Sequence, residues 1–461
     1  MWMPRLHSAR PRARRPARSF YVGGGEDHCT KDREMATPLD QFKAAIAAGD
    51  MTAVAAALEN AEVRDVVDDG MFAYGRPALL EARSPAMVDL LLDAGADIGK
   101  ISEFWARGFG LEEVPPRVAE HLLENGAVPS VHAASALGLV RVLRDLLDAE
   151  PGLLEAPGGD GGTPLHFART VEIATLLIER GATLGPRDED HRSTPAQWRI
   201  KTAPEVARLL LDNGAEADVF LAAGLGDLEL ARGALEANPA CVTYRIGVNT
   251  GPYPGIGFEG GGGTILQWSL GFNLAPQEVA MRRGHREVYD LLMRSTPPKN
   301  KLQIACMLAD RELAMSLLAS RPNLADEFDD EDRMLLAKAC WETNNDTEAI
   351  RLMLECGFPV GIPEHNHGYS PLHNAAWSGA AEVVRLLLEH GHPVDMVDPA
   401  YGSSATGYAI HSATEARRYE DVDYGGVVDA LIGAGLDGCL SEYPVGHEAI
   451  DAVMRKHLDA R

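Results

Sequence analysis

The stretch Gly368–Gly391, GYSPLHNAAWSGAAEVVRLLLEHG, constrains the fold more than any other part of the chain. Ser370 offers a hydroxyl to cap a helix, and Pro371 suits the first helical position, where no amide donor is required. Ala375 and Ala376 keep that helix thin, and Gly379 ends it. Val383, Val384, Leu386, Leu387 and Leu388 then predict a second, apolar helix that stops at Gly391. Neither helix buries its apolar face alone, so the pair demands neighbours of its own kind and predicts a repetitive, all-α architecture.

Copies of the pattern recur along the chain. Gly161–Ala182 carries Thr163-Pro164-Leu165-His166, and Ser193–Ala215 has Gln197 in place of the histidine and Arg199 in place of a small residue. Gly75–Asp97, Arg117–Ala127, Val131–Pro151, Phe220–Pro239, Ala275–Met293, Lys301–Pro322 and Leu335–Phe358 keep parts of it. Arg199 is expected either to extend to solvent or to widen the local stack. These segments resemble ankyrin repeats, in which T-P-L-H, two alanines, a glycine and a leucine run recur about every 33 residues. Ser370 for Thr and Ala380 for His are the departures in the best copy. The resemblance covers roughly 35–440 in about twelve units, and implies a curved, elongated α-solenoid of stacked helix-turn-helix units with short hairpin loops. Phe42–Asn60 reads as the N-terminal cap, and the amphipathic helix in 441–461 as the C-terminal cap.

Composition narrows the function. A net charge of -25, from 68 acidic against 43 basic residues, repels phosphate backbones and argues against nucleic-acid binding. A partner with a basic surface fits better. No run of about 18 apolar residues predicts a membrane span. Six cysteines without a C-x-x-C pair read as reduced thiols in a cytoplasmic protein. Residues 1–34, with Arg5, Arg10, Arg12, Arg14, Arg15 and Arg18 among prolines, read as a disordered basic leader; Met35 as the true start is preferred over organelle targeting.

Other motifs lack the context their chemistry requires. Gly255–Gly260 matches G-x-G-x-x-G, but no strand precedes it, so 241–263 reads as a glycine-rich insertion from a hairpin tip. Gly95–Lys100 has the wrong spacing for a phosphate loop, and Asn345-Asp346-Thr347 is a glycosylation sequon that means little without secretion. Ala325–Arg333 reads as a solvated acidic linker. No G-x-S-x-G or H-E-x-x-H motif occurs, so no catalytic residue, metal or cofactor is assigned.

In the family resembled, the T-P-L-H histidine is scaffolding, which assigns His166 and His373 a structural role. The residues before T-P-L-H and after the alanine pair contact partners. Carried onto this sequence, these are Asp160, Arg169, Thr170, Asp190, His191, Ser193, Arg282, Arg283, Asn366, His367, Tyr369, Trp377, Ser378, Tyr401, Ser403, His411 and Ser412. Tyr369 and Trp377, read as exposed, are the expected hot spot, with packing of Trp377 on the next inner helix as the alternative. The resemblance implies a monomeric, non-enzymatic scaffold that binds a protein or peptide through the concave surface formed by the hairpins and inner helices. The competing reading is an enzyme or metal-dependent factor that uses the glycine-rich insertion or the histidines at 365–367 and 390–392.

Overall fold

The computed structural model describes residues 37–248, 252–255, 261–341, 346–364, 368–416 and 422–461. The basic leader, residues 256–260 of the G-x-G-x-x-G motif, Asn345 of the sequon, and His365-Asn366-His367 lie outside the described residues. The described residues are all-α, with two isolated antiparallel bridges, Phe72 with Arg76 and Val397 with Ser404, each closing a hairpin. No described helix is long and apolar enough to cross a membrane.

The chain forms two compact units. One takes in the described residues up to Ala217 together with Ile246–Leu270; the other takes Asp218–Arg245 together with Gly271–Arg461. The backbone therefore leaves the first unit, builds one helix pair of the second, returns for a short visit, and leaves again.

Helix pairs build both units, and capping sets their boundaries. The Thr37 hydroxyl accepts from Asp40 N while Asp40 accepts from Thr37 N, a capping box at Pro38–Ala48. Gly49, at φ 70°, ends that helix, and Asp50 caps Met51–Leu58 through Thr52 N and Ala53 N. In the second unit the best repeat forms Pro371–Trp377 and Ala381–Glu389. Alanines line the contact faces of the inner helices: Ala133 and Ala134, Ala222 and Ala223, and Ala375 and Ala376 are all fully buried or nearly so. A methyl group there lets neighbouring inner helices approach closely. The outer helices supply the bulk, with Leu91 and Leu122 in the first unit and Ile350, Leu387 and Leu431 in the second all at 0% exposure. Burying one such side chain contributes about 1.5–3 kcal/mol. Ile450 and Met454, also fully buried, hold the terminal helix Glu448–Asp459 onto Tyr424–Gly433.

Two segments depart from expectation. Residues 325–333 keep Asp326, Glu327, Asp329 and Asp330 exposed, as expected, but are not a linker: Leu324–Glu327 and Asp330–Arg333 are helical turns, and Phe328 is buried with its ring 4.6 Å from that of Phe358. Asp332 accepts from Lys299 Nζ and from Gln303 Nε2, both at 2.5 Å, so its charge is used inside the repeat. Arg199 does not extend to solvent. It is 5% exposed, lies 5.9 Å from the Trp198 ring, and its Nε has no hydrogen-bond partner. Burial lowers its pKa to about 10, which still leaves it charged at neutral pH.

Successive repeats are tied by one recurring contact. Thr163 N donates to His166 Nδ1 at 2.9 Å, so Nε2 carries the proton and donates to Ser193 O of the next hairpin at 3.2 Å. His373 repeats this between Ser370 N and Ser403 O, at 3.4 and 3.1 Å. Burial keeps both rings neutral and brings the His166 pKa down to about 4. The unfolded chain then binds more protons than the folded one between about pH 6.5 and 4, so stability falls as pH falls through that window. In the next repeat Gln197 Oε1 accepts from Thr194 N at 2.9 Å, making the same cap with a group that does not titrate. His166→Gln is therefore expected to cost about 1 kcal/mol or less at pH 7. It should also remove about 2 kcal/mol of the loss of stability between pH 7 and pH 5. Urea unfolding of both proteins at the two pH values measures this; equal acid sensitivity would refute it.

Candidate functional site

Two features of the first unit stand out chemically. The first is an aromatic group on adjoining loops. Tyr74 sits at φ 62° and Gly75 at φ 65°, a left-handed pair that turns the hairpin closed by Phe72 and Arg76. Glu103 N donates to Gly75 O at 2.8 Å, and a Cβ on Gly75 would lie 2.4 Å from Glu103 O, so only glycine permits this approach. The neighbouring loop is braced by Ser102 N to Phe109 O at 2.9 Å and Phe109 N to Ser102 Oγ at 2.8 Å. On this rigid backbone Tyr74 is 53%, Trp105 54% and Ile101 53% exposed. The Phe104 ring lies between the two aromatics, with centroids 5.6 Å from Tyr74 and 5.9 Å from Trp105. Acidic side chains border the group. Asp68 and Asp69 act on Lys100, which is itself paired with Glu103 at 3.0 Å, and Asp68 accepts from Asp97 N.

The second feature is a buried carboxylate–imidazole cluster at two successive hairpins. Asp160, at φ 54°, turns the earlier hairpin, and its carbonyl accepts from Glu189 N and Asp190 N of the next. Asp188, fully buried, organises that second hairpin by accepting from His191 N, from Ser193 N at 2.9 Å and from Trp198 Nε1 at 2.9 Å. His191 Nδ1 donates to Gly263 O at 2.8 Å, which turns Nε2 toward Asp160 Oδ2 at 3.4 Å and Asp190 Oδ2 at 3.7 Å. Burial disfavours charge on all three groups. It raises both carboxyl pKa values, while at His191 the Asp160 carboxylate, then Asp188 and Asp190, outweigh burial and hold the pKa at about 9. The cluster thus favours positive charge at its centre. Among the described residues, the ligand atoms of Asp160, Asp190 and His191 lie within 4.8 Å of one another, a grouping able to hold a metal ion.

The returning segment 261–270 covers this cluster. Gly262 N donates to Asp190 Oδ1 at 2.7 Å, and Ile265 N donates to Ser193 Oγ at 3.1 Å. Leu266–Ser269 is a short helix that packs on Pro195–Arg199. The sequence carried a signal for this placement: Thr264-Ile265-Leu266-Gln267-Trp268 parallels Thr194-Pro195-Ala196-Gln197-Trp198, with isoleucine standing where the earlier copy has proline. The segment that follows the glycine-rich insertion is thus a further, truncated inner helix.

The residues expected from sequence to contact a partner separate by burial. Arg169 and Thr170 in the first unit, and Arg282, Arg283, Tyr401 and His411 in the second, are exposed; His191 and Ser403 are partly exposed. Asp160, Asp190, Ser193, Ser378 and Ser412 are buried, and Asn366 and His367 lie outside the described residues. Tyr369 and Trp377 correct the expectation of exposure, at 5% and 7%. Tyr369 stacks with Trp341 and meets Tyr408 edge-on at 5.4 Å, while Trp377 packs against Tyr408 at 6.0 Å and His411 at 5.8 Å. Adjacent inner helices cover the rings because their alanines bring the backbones close. Of the histidines at 390 and 392, each Nδ1 bonds a local carbonyl, Leu386 O and Pro393 O, both at 2.8 Å.

A family model of ankyrin repeats (3 copies) matches residues 278–398. The crystal structure of the human ASB11 ankyrin repeat domain is similar over 67% of this chain and 98% of that one, at 19% identity and a TM-score of 0.24. No curated protein matches the sequence.

Trp377 tests the buried placement directly. Its Nε1 is buried without a hydrogen-bond partner, so the ring contributes packing alone. Trp377→Ala should cost about 3–5 kcal/mol. Trp377→Phe, which fills most of the site and removes the unsatisfied donor, should cost about 1.5 kcal/mol or less. Denaturant midpoints of the two variants decide this, and near-equal losses would contradict it.

Proposed function

Because this chain is an ankyrin-repeat protein, we propose that it acts as a non-enzymatic scaffold that binds a protein or peptide through its hairpin tips. The observation that carries the reading is the exposed Tyr74–Phe104–Trp105 group on a braced backbone. Large aromatic side chains held open to water on a rigid loop are costly in isolation and are the residue types that dominate binding hot spots. Because the backbone is already fixed by Glu103 N to Gly75 O, little conformational entropy is lost when a partner docks.

The surroundings of the group define the partner's chemistry. An apolar anchor flanked by lysine or arginine would cover the rings and meet Asp68, Asp69, Asp97 and Glu103, in keeping with the net charge of -25. In the second unit, Val397 and Tyr401, 57% and 52% exposed, offer a smaller tip of the same kind. Its turn is fixed by the fully buried Asp398, which accepts from Ala400 N, Tyr401 N and Ser403 N. Arg169 and Thr170 of the first unit, and Arg282, Arg283 and His411 of the second, are further exposed candidates, each on its own unit. A cytoplasmic location and a monomeric state fit a scaffold of this type.

The test begins with a partner recovered by cross-linking to the full chain and purified. The double variant Tyr74→Ala, Trp105→Ala is expected to weaken its affinity at least tenfold, about 1.4 kcal/mol, with an unchanged unfolding midpoint. Raising salt should slow association. Unchanged affinity in the double variant would remove the patch from the interface.

A further inference from the structure

We infer that Asp160, Asp190 and His191 form a binding site for a divalent transition-metal ion of the zinc class, closed by the glycine loop 261–263. The geometry is the first argument. Ligand atoms about 2.1 Å from a tetrahedral ion stand about 3.4 Å from one another, and His191 Nε2 lies 3.4 Å from Asp160 Oδ2 and 3.7 Å from Asp190 Oδ2. All three ligand atoms lie within 4.8 Å of one another, so adjustment of the side chains would bring them to normal bond lengths around one ion.

The ring's other nitrogen is the second argument. A metal-bound histidine usually donates its free N–H to a carbonyl or carboxylate, which fixes the ring and leaves the other nitrogen as a lone-pair donor. His191 Nδ1 donates to Gly263 O at 2.8 Å in this way, and Nε2 points at the two carboxylates. Asp190 is held by a further bond, from Gly262 N to Oδ1, which leaves Oδ2 turned toward the centre.

Enclosure is the third. The side chains of Asp160 and Asp190 are 9% and 7% exposed, and among the described ion pairs neither is joined to a lysine or arginine. Without an ion the two buried carboxylates share a single imidazolium, His191; a divalent ion would displace the Nε2 proton and put two positive charges against them. The cover is shaped for closeness: a Cβ on Gly262 would stand 2.8 Å from Asp190 Oδ2 and 2.9 Å from His191 Cε1, and one on Gly261 2.4 Å from Asp190 O. One imidazole with two carboxylates suits zinc, cobalt or manganese better than calcium or magnesium, which favour oxygen alone. The ion would clip together two hairpins about 30 residues apart along the chain, with the glycine loop held to its ligands by the bonds from His191 Nδ1 to Gly263 O and from Gly262 N to Asp190 Oδ1. This site is independent of the aromatic patch, so the two readings stand or fall separately.

The test uses the full chain stripped of metal with a chelator and titrated with Zn2+ by calorimetry. One equivalent should bind with micromolar or tighter affinity and raise the unfolding midpoint by a few degrees. Asp160→Asn, Asp190→Asn should weaken that binding about 100-fold or more and abolish the thermal shift. Co2+ should give the visible absorption of a tetrahedral site and quench Trp198, whose ring lies 5.6 Å from that of His191; Trp198→Phe should lose this quenching while binding persists. Absence of saturable binding at micromolar Zn2+ would overturn the site and leave a metal-free imidazolium bridge. Undiminished binding in the double variant would overturn it as well, by placing the ion at other histidines. Should the double variant not fold, X-ray absorption of the wild-type cobalt form still decides. A shell of oxygens with one imidazole supports the site; sulfur or several imidazoles refutes it.

Discussion

The two repeats that keep the histidine depend on one side chain that does two jobs. His166 accepts a backbone donor at the start of its own helix and donates to the carbonyl of Ser193 one hairpin further on, and His373 does the same toward Ser403. A helix of four to seven residues, such as Pro164–Phe167 or Pro371–Trp377, is too short to persist by its own hydrogen bonds. It persists because its first turn is capped and its cap is anchored to a neighbour. Alanine contact faces then bring the helices close enough for the leucines behind them to close the core.

The same hairpins carry whatever chemistry the protein presents. Asp188 and Asp398, both fully buried, each accept from a serine N–H five residues on and so fix the tip between. At one tip this order projects Tyr401 into water; at the other it holds His191 beneath the glycine loop. One backbone device thus yields an exposed contact residue in one place and an enclosed polar cluster in the other. The difference lies in the later course of the chain: the tip at His191 receives the returning segment 261–270 as a cover, and the tip at Tyr401 stays open.

Much of the helical order was legible because its determinants are local. Thr163-Pro164-Leu165-His166 and Ser370-Pro371-Leu372-His373 announce cap, first turn and tether in four residues, and the leucine runs give the outer helices their apolar face. The illegible part depended on contacts between segments distant in sequence. The indole of Trp377 reads as exposed when its repeat is considered alone, yet Tyr408 and His411 of the next inner helix enclose it. The acidic run 325–333 reads as a linker until Lys299 and Gln303 are found beside Asp332 and Phe328 against Phe358. The aromatic group had no local mark at all, since Tyr74 and Trp105 sit on loops brought together by the bond between Gly75 and Glu103. The cover over His191 did have one, in Thr264-Ile265-Leu266-Gln267-Trp268, obscured by the loss of its proline.

The double passage of the chain between its two units bears on how the protein is made. A chain emerging from the ribosome reaches Ala217 with the first unit still missing Ile246–Leu270, and must extrude Asp218–Arg245, which belong to the second, before the missing part appears. Simple N-to-C completion of one body before the next is therefore closed to it. Assembly must keep an unfinished surface waiting, and the nascent molecule is most exposed to chaperones and proteases during that interval.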